Sequence, residues 1–189
     1  LSGLFELPLR TEPSGAPDGA GPDPIDWDVA VRVASRLAGR EPFSGSYHHA
    51  SLAPELEDAT AIAEQLVAEH TGLRSAAGPA RARVVDRTDW ARANVASFRR
   101  LFAPLPRRVG ARLTGPLAPA ARAAVGTEVG LLLGWMSRRV LGQYDLLVND
   151  DTTDQDLVYY VGPNVLALEK RFAFPPREFR LWLALHEVT

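Results

Sequence analysis

Apolar residues recur at helical spacing along most of this chain of 189 residues. Val29, Val33 and Leu37 lie four residues apart, which places them on one face of a helix. Asp26 before them and Gly39 after them are typical boundary residues of a helix. Similar patterns predict further helices at residues 54–71, 88–102, 107–114 and 118–141.

The helix predicted at 118–141 carries a glycine every four residues, at Gly126, Gly130 and Gly134. Such a row leaves a smooth groove that a second helix can approach closely. A membrane-spanning helix can carry a similar row. However, the uncharged stretch at 129–137 is far shorter than the roughly 20 residues that a bilayer requires. We therefore expect a buried helix of a soluble protein.

The chain changes character after a polar, acidic turn at 149–156. β-branched and aromatic residues predict a strand at 157–161, Gly162-Pro163-Asn164 predicts a turn or bulge, and residues 165–168 predict a second short strand. Pro175 and Pro176 open a last helix. The expected fold class is mainly α with a small β element (α+β).

Three regions follow from these patterns. Residues 1–24 form a flexible arm rich in proline and glycine, because they lack an apolar pattern that could offset their ordering entropy. Residues 25–148 form a helical domain. Residues 149–189 form the strand pair and the first part of the last helix.

Composition narrows the function classes. The net charge of −2 does not indicate a polyanionic partner, and the absence of cysteine excludes disulfides and thiolate metal sites. Ten arginines lie between residues 74 and 112. They are dispersed around the predicted helices with few aromatic residues among them, which favours a solvated, salt-bridged face over a nucleic-acid site. No secretory segment is visible, so we expect a cytoplasmic protein without a membrane partner.

His186 and Glu187, in the last predicted helix, are the main candidates for chemistry. His186 ends an apolar stripe that begins at Phe179, so its side chain is expected to point inward. A zinc-binding H-E-x-x-H helix needs a second histidine four residues after the first, and that position follows Thr189. On this reading His186 is a zinc ligand and Glu187 is the general base. The alternative is a half-buried histidine that is hydrogen-bonded to the backbone.

Other polar residues have simpler interpretations. His48 and His49 could bind a metal or a substrate, but adjacent residues seldom converge on one ion, so a solvated loop is favoured. His70 is expected at the surface near a helix C-terminus, where it compensates the dipole. Glu128 could be a buried functional carboxylate, although a salt bridge to a basic residue such as Arg122 is favoured.

The acidic turn contains four aspartates that could bind Ca²⁺. They are Asp150, Asp151, Asp154 and Asp156. The segment lacks the glycine and the terminal glutamate of an EF-hand loop, which favours an exposed turn.

Four segments of the chain resemble a known family. They are residues 25–30, 141–146, 160–164 and 179–189. These segments are similar to zincin-like metallopeptidases, proposed zinc-dependent hydrolases of actinobacteria and Chloroflexi, of which one branch is labelled coenzyme F420 biosynthesis-associated. The resemblance covers about residues 24–189. It implies a second histidine after Thr189 and a third ligand further on, so that residues 149–189 hold an incomplete zincin core.

The sequence thus predicts the N-terminal part of a zinc-dependent metallopeptidase or hydrolase, ending inside its metal-binding motif. With one of three ligands, residues 1–189 are not expected to hold zinc tightly or to be active, and the chain after about Leu185 is expected to be poorly ordered or repacked. The substrate would be a peptide or protein, and the apolar segment at 157–168 could bind it, since zincins commonly use an edge strand. The alternative is a non-catalytic zincin-fold scaffold or binding protein associated with F420 biosynthesis genes.

Overall fold

Helices dominate the part of the chain that the computed structural model describes, which comprises residues 23–39, 47–75, 78–103, 115–144 and 157–189. The helices are α1 (Trp27–Ala38), α2 (Tyr47–Thr71), α3 (Arg87–Phe102), α4 (Ala118–Met136), α5 (Gly162–Phe172) and α6 (Pro176–Val188). Three strands form one small sheet: β1 (Arg81–Val85), β2 (Gly142–Tyr144) and β3 (Leu157–Val161). The predicted class, mainly α with a small β element, is confirmed.

The central strand of the sheet is β3. It pairs in parallel with β1 and antiparallel with β2. Successive side chains of a strand point to opposite faces. Val158 and Tyr160 accordingly pack in the apolar cluster shared with α2 and α6, whereas Val161 packs in the cluster shared with α1, α3 and α4. The sheet is therefore a layer between two helical layers. It joins strands from both sides of the boundary predicted after residue 148, and that boundary itself lies outside the described residues.

Close packing of α4 against α1 confirms that the glycine row admits a second helix. The expectation of a buried helix is wrong, however, because α4 is buried mainly along this row and several of its large apolar side chains are exposed. A Cβ atom added at Gly130 would lie 2.6 Å from the carbonyl oxygen of Ala30, and one added at Gly134 would lie 3.0 Å from that of Ala34. Ala30 and Ala34 are themselves fully buried. Small residues on both helices thus allow the two backbones to touch. None of the helices in the described ranges has the length and apolar run needed to cross a bilayer.

The turn predicted at 162–164 and the second strand predicted at 165–168 are wrong, because both lie in α5. Pro163 stands in the first turn of this helix, where a missing N–H group costs nothing. Val165, Leu166 and Glu169 are buried at helical spacing. Short apolar runs of this kind fit a strand and a buried helix equally well by periodicity alone.

Several boundaries also differ from the predictions. Helix α2 begins at Tyr47 and includes Pro54, whose cost inside a helix is about 3 kcal/mol. Full burial of the neighbouring Leu52 and Leu56, worth roughly 1.5–3 kcal/mol each, offsets this cost. Helix α4 ends at Met136 rather than at residue 141. Helix α6 continues regularly to Val188, contrary to the prediction of a poorly ordered or repacked end. The predicted helix at 107–114 and residues 1–22 of the predicted arm lie outside the described residues.

Candidate active site

Helix α6 carries both candidate catalytic residues, and it begins at Pro176 as predicted. Its buried residues are Phe179, Arg180, Leu183 and Ala184. At about 100° per residue, these four positions span one arc of the helix, and Glu187 falls near the middle of that arc. This arc faces α2 and the sheet.

A buried ionic cluster fixes the start of α6. The side chain of Arg180 is 4% exposed and donates to both carboxylate oxygens of Glu169 on α5, over 2.7 and 2.9 Å. Arg180 also pairs with Glu55 on α2. Burial alone would lower the pKa of Arg180, but the hydrogen bonds and charges of the two glutamates raise its pKa overall. The cluster therefore holds α6 to two other helices through a permanently charged guanidinium.

His186 points outward, and the prediction that it points inward is wrong. The imidazole is exposed and stacks on the exposed ring of Trp182, with 5.7 Å between ring centroids and 8° between planes. The prediction failed because it counted only apolar residues. The buried arc includes the charged Arg180, which rotates its centre towards Glu187 and leaves His186 at its edge.

Glu187 lies against the sheet, partly buried. A Cβ atom added at Gly142 would lie 2.5 Å from Oε1, 2.6 Å from Cδ and 2.7 Å from Cγ of Glu187. The carboxylate therefore rests on the backbone of β2. Burial raises the pKa of Glu187, and the nearby charge of His186 offsets part of this effect. A glutamate with a raised pKa is a stronger base than an ordinary one, as general-base catalysis requires.

Tyr160, on β3, belongs to the same face of the sheet as Glu187. It lies directly opposite Gly142 in the antiparallel pair, and its ring is fully buried. The Tyr160 hydroxyl and Thr60 Oγ1 are 2.8 Å apart, and Thr60 Oγ1 in turn donates to the carbonyl oxygen of Leu56 over 2.7 Å. Burial raises the pKa of Tyr160 to about 12, the Thr60 hydrogen bond offsets part of this, and the charge of Glu187 adds to it. The Tyr160 hydroxyl is thus neutral and held in place by Thr60.

Strand β2 is held from two sides by side-chain amides. Asn94 on α3 and Gln143 on β2 donate to each other over 3.2 and 3.1 Å. Asn164 on α5 donates to the carbonyl oxygens of Ser137 and Val140, over 2.8 and 2.7 Å, in the segment that leads from α4 into β2. Asn164 also accepts a hydrogen bond of 2.8 Å from Arg87. These contacts determine where β2, and hence the surface beneath Glu187, lies.

The described residues do not form a complete metal site. They contain no group of three or more histidine, aspartate or glutamate side chains that could hold one ion. His186 offers an accessible imidazole, whereas the carboxylate of Glu187 is turned towards the sheet. The part of the chain that the structure describes therefore supplies one accessible candidate ligand and not the three protein ligands of a catalytic zinc site.

The other candidates lie away from this arrangement or outside the described residues. His48 and His49 belong to the first turn of α2, not to a loop as predicted. His70 is exposed, as predicted, and its Nδ1 is 2.9 Å from the carbonyl oxygen of Leu66. Glu128 is exposed, so it is not a buried functional carboxylate, and within the described ranges it has no ion pair to Arg122. The four aspartates of the acidic turn lie outside those ranges.

Sequence reasoning missed the residues that support Glu187. The sequence analysis predicts no role for Gly142, Tyr160 or Asn164, although all three lie in the segments that carry the family resemblance. That shared location was the available signal. Thr60, inside an ordinary amphipathic helix, gave none.

Comparison with known proteins identifies the family. The sequence profile of the zincin-like metallopeptidases matches residues 25–189. The chain belongs to this family. The match includes α6 and both candidate catalytic residues, so the resemblance predicted from the four segments is confirmed at the level of the family.

One solved structure shares this fold. It is a proposed hydrolase with a novel fold from Chloroflexus aurantiacus, 31% identical in sequence, with a TM-score of 0.65. The alignment covers 86% of this chain and 50% of that one, so this zincin-like chain spans about half the length of its relative. No curated protein shows a significant match.

Proposed function

We propose that this zincin-like chain is the N-terminal part of a zinc-dependent hydrolase that cleaves peptide or protein substrates. His186 would be one zinc ligand, and a second histidine and a third ligand would lie beyond Thr189. The observation that carries the proposal is the division of roles on α6. The imidazole of His186 is accessible, whereas the carboxylate of the next residue, Glu187, is turned to the sheet and held against Gly142.

Glu187 would act as the general base. When bound, zinc lowers the pKa of a coordinated water to about 7. Glu187 accepts the proton of the attacking water at a carboxylate oxygen and then delivers it to the leaving amine. Burial supports this role because it raises the pKa of the carboxyl group. The buried Tyr160, whose pKa is about 12, stays neutral and does not compete for this proton.

The order of the strands favours β2 over β3 as the strand beside which a peptide substrate would lie. Strand β3, at residues 157–161, is central and has a partner on each side, so it cannot accept a further strand. Strand β2 has one edge that no other strand covers among the described residues. The side chain of Glu187 lies against Gly142 of this strand. An extended peptide would therefore lie beside β2, with main-chain hydrogen bonds as in other β-strand additions.

The proposal also includes the expected inactivity of residues 1–189 on their own and the expected cellular location of the protein. A complete site requires three protein ligands, so residues 1–189 alone would bind zinc weakly and would be inactive. The protein would work in the cytoplasm without a nucleic-acid or membrane partner. A link to coenzyme F420 biosynthesis belongs to the alternative, a non-catalytic scaffold or binding protein.

The test uses the natural full-length protein and a library of peptides. We expect hydrolysis that a chelator abolishes and added zinc restores. Glu187→Gln should retain zinc and reduce kcat by about 10²- to 10⁴-fold, because it removes only the general base. His186→Ala should lose zinc. Glu178→Gln, at an exposed position in the first turn of the same helix, is the matched control and should change neither property.

Two results would contradict the proposed enzymatic function. One is full-length protein that holds no zinc and cleaves no peptide, which would favour the scaffold. The other is unchanged hydrolysis in Glu187→Gln, which would remove this glutamate from the mechanism.

A further inference from the structure

Gly142 stands in a strand, where glycine is normally unfavourable. It has no side chain to pack and it loses more backbone entropy than other residues on folding. Its backbone does not require glycine, because the described glycines with positive φ are Gly39, Gly72, Gly78 and Gly115. A glycine in a strand without a conformational need often marks a close approach by another group.

That group is the side chain of Glu187. The three heavy atoms nearest to a Cβ added at Gly142 are Oε1, Cδ and Cγ of Glu187, at 2.5, 2.6 and 2.7 Å. Carbon atoms in contact are ordinarily about 3.5–4.0 Å apart. Any residue other than glycine would therefore occupy the place of the carboxylate.

The surface beneath the carboxylate cannot easily retreat. The Asn94–Gln143 amide pair ties β2 to α3, and Asn164 fixes the carbonyl groups that precede β2. The backbone of α6 is equally constrained by the buried cluster of Arg180. The most mobile partner in the contact is thus the Glu187 side chain, which can rotate away from a new methyl group.

We propose that Gly142 is a positioning residue for Glu187, and that its missing side chain sets the place of the catalytic carboxylate. This inference rests on the proposed function. It goes beyond that function by assigning a task to the edge strand: β2 holds the base as well as the substrate. Replacing Gly142 should displace the carboxylate while the fold and the zinc ligands stay intact.

Gly142→Ala in the natural full-length protein tests the inference, with two readouts. The crystal structure of the variant without metal should show the Glu187 carboxylate moved by more than about 1 Å from its wild-type place, because contact with the added carbon would otherwise fall far below normal. In the zinc-loaded protein, kcat should fall by roughly 10²-fold, as expected for a misplaced base, while KM and zinc content stay unchanged. The melting temperature should fall by only a few degrees.

Gly130→Ala is the matched control. Its added methyl group would meet the backbone of α1 rather than Glu187. It should lower the melting temperature but leave the carboxylate position and kcat unchanged below the unfolding transition. In a Glu187→Gln background, Gly142→Ala should cause no further loss of kcat, because the base is already absent.

A Gly142→Ala structure with the carboxylate in its wild-type place and with unchanged kcat would overturn the inference. Equal losses in kcat from Gly142→Ala and Gly130→Ala would also overturn it, since both would then act through general destabilisation. A wild-type protein without zinc-dependent hydrolysis would refute the proposed function, whereas the crystallographic comparison would still decide whether Gly142 positions Glu187.

Discussion

Replacing Arg180 by methionine should destabilise the protein severely. The side chains of Arg180 and Glu169 are 4% and 8% exposed, so removal of the guanidinium leaves a buried carboxylate without a partner. Breaking a buried ion pair in this way costs about 3–5 kcal/mol. At roughly 2–4 °C per kcal/mol for a domain of this size, the melting temperature should fall by about 6–20 °C.

The two carboxylates of the cluster should differ in importance. The Glu55 side chain is 48% exposed, so its pair with Arg180 is screened by water. Glu55→Gln should therefore cost no more than about 1 kcal/mol. Replacing Arg180 by methionine and Glu169 by leucine together should recover most of the loss, because two well-packed apolar side chains can replace a buried ion pair at little cost.

Urea unfolding at pH 7, followed by circular dichroism, measures these free energies of unfolding. Two results would refute the reasoning. One is an Arg180→Met variant within about 1 kcal/mol of wild type. The other is an Arg180→Met/Glu169→Leu double variant that is no more stable than Arg180→Met, since an isolated buried charge would then not be the cause.

Three further predictions concern the surroundings of Glu187. Asn164→Ala should cost about 2–4 kcal/mol in unfolding free energy, because it leaves two carbonyl groups after α4 without their hydrogen-bond donor. Asn164→Asp should cost nearly as much, because a carboxylate cannot donate to these carbonyl groups. Tyr160→Phe should cost about 0.5–1.5 kcal/mol, the value of its hydrogen bond to Thr60. Burial raises the pKa of Glu187 above the usual 4.5, so folded protein holds this proton more tightly than unfolded protein, and the stability due to this group falls as pH rises through the raised pKa. Metal-free Glu187→Gln, which cannot ionise, should therefore gain melting temperature over wild type as the pH rises from 4 to 8.

A different result would contradict each of these three predictions. For Asn164, it is an alanine variant whose urea midpoint equals that of wild type. For Tyr160, it is a phenylalanine variant more stable than wild type, since the hydroxyl would then be poorly accommodated. For Glu187, it is a difference in melting temperature between glutamine variant and wild type that stays constant across this pH range in the presence of a chelator.

The helices were the most predictable part of the fold, and two strands the least. The glycine row of α4 identified a close helix contact correctly because small residues at four-residue spacing have few other uses. Strand β1 escaped prediction because it alternates arginine with small apolar residues, and β2 because it has three residues. Both exist through pairing with β3, which is a long-range effect that local propensity does not encode.

The sequence singles out candidate site residues, but it does not show how their side chains are oriented. His186 and Glu187 stood out as the first two residues of an H-E-x-x-H pattern in a predicted helix, yet the direction of each side chain was not evident. The orientation of α6 depends on Arg180, whose burial is possible only because Glu169 and Glu55 lie on other helices. A pattern of hydrophobic positions cannot show that a charged residue is buried when its partners are distant in sequence.

Anomalous diffraction at the zinc absorption edge, from crystals of the natural full-length protein, tests the central claim most directly. The account predicts a zinc peak about 2.0–2.1 Å from a ring nitrogen of His186, with the Glu187 carboxylate near Gly142 and outside the coordination sphere. A zinc-free His186, or a Glu187 oxygen bound to the metal at about 2.0–2.2 Å, would contradict it.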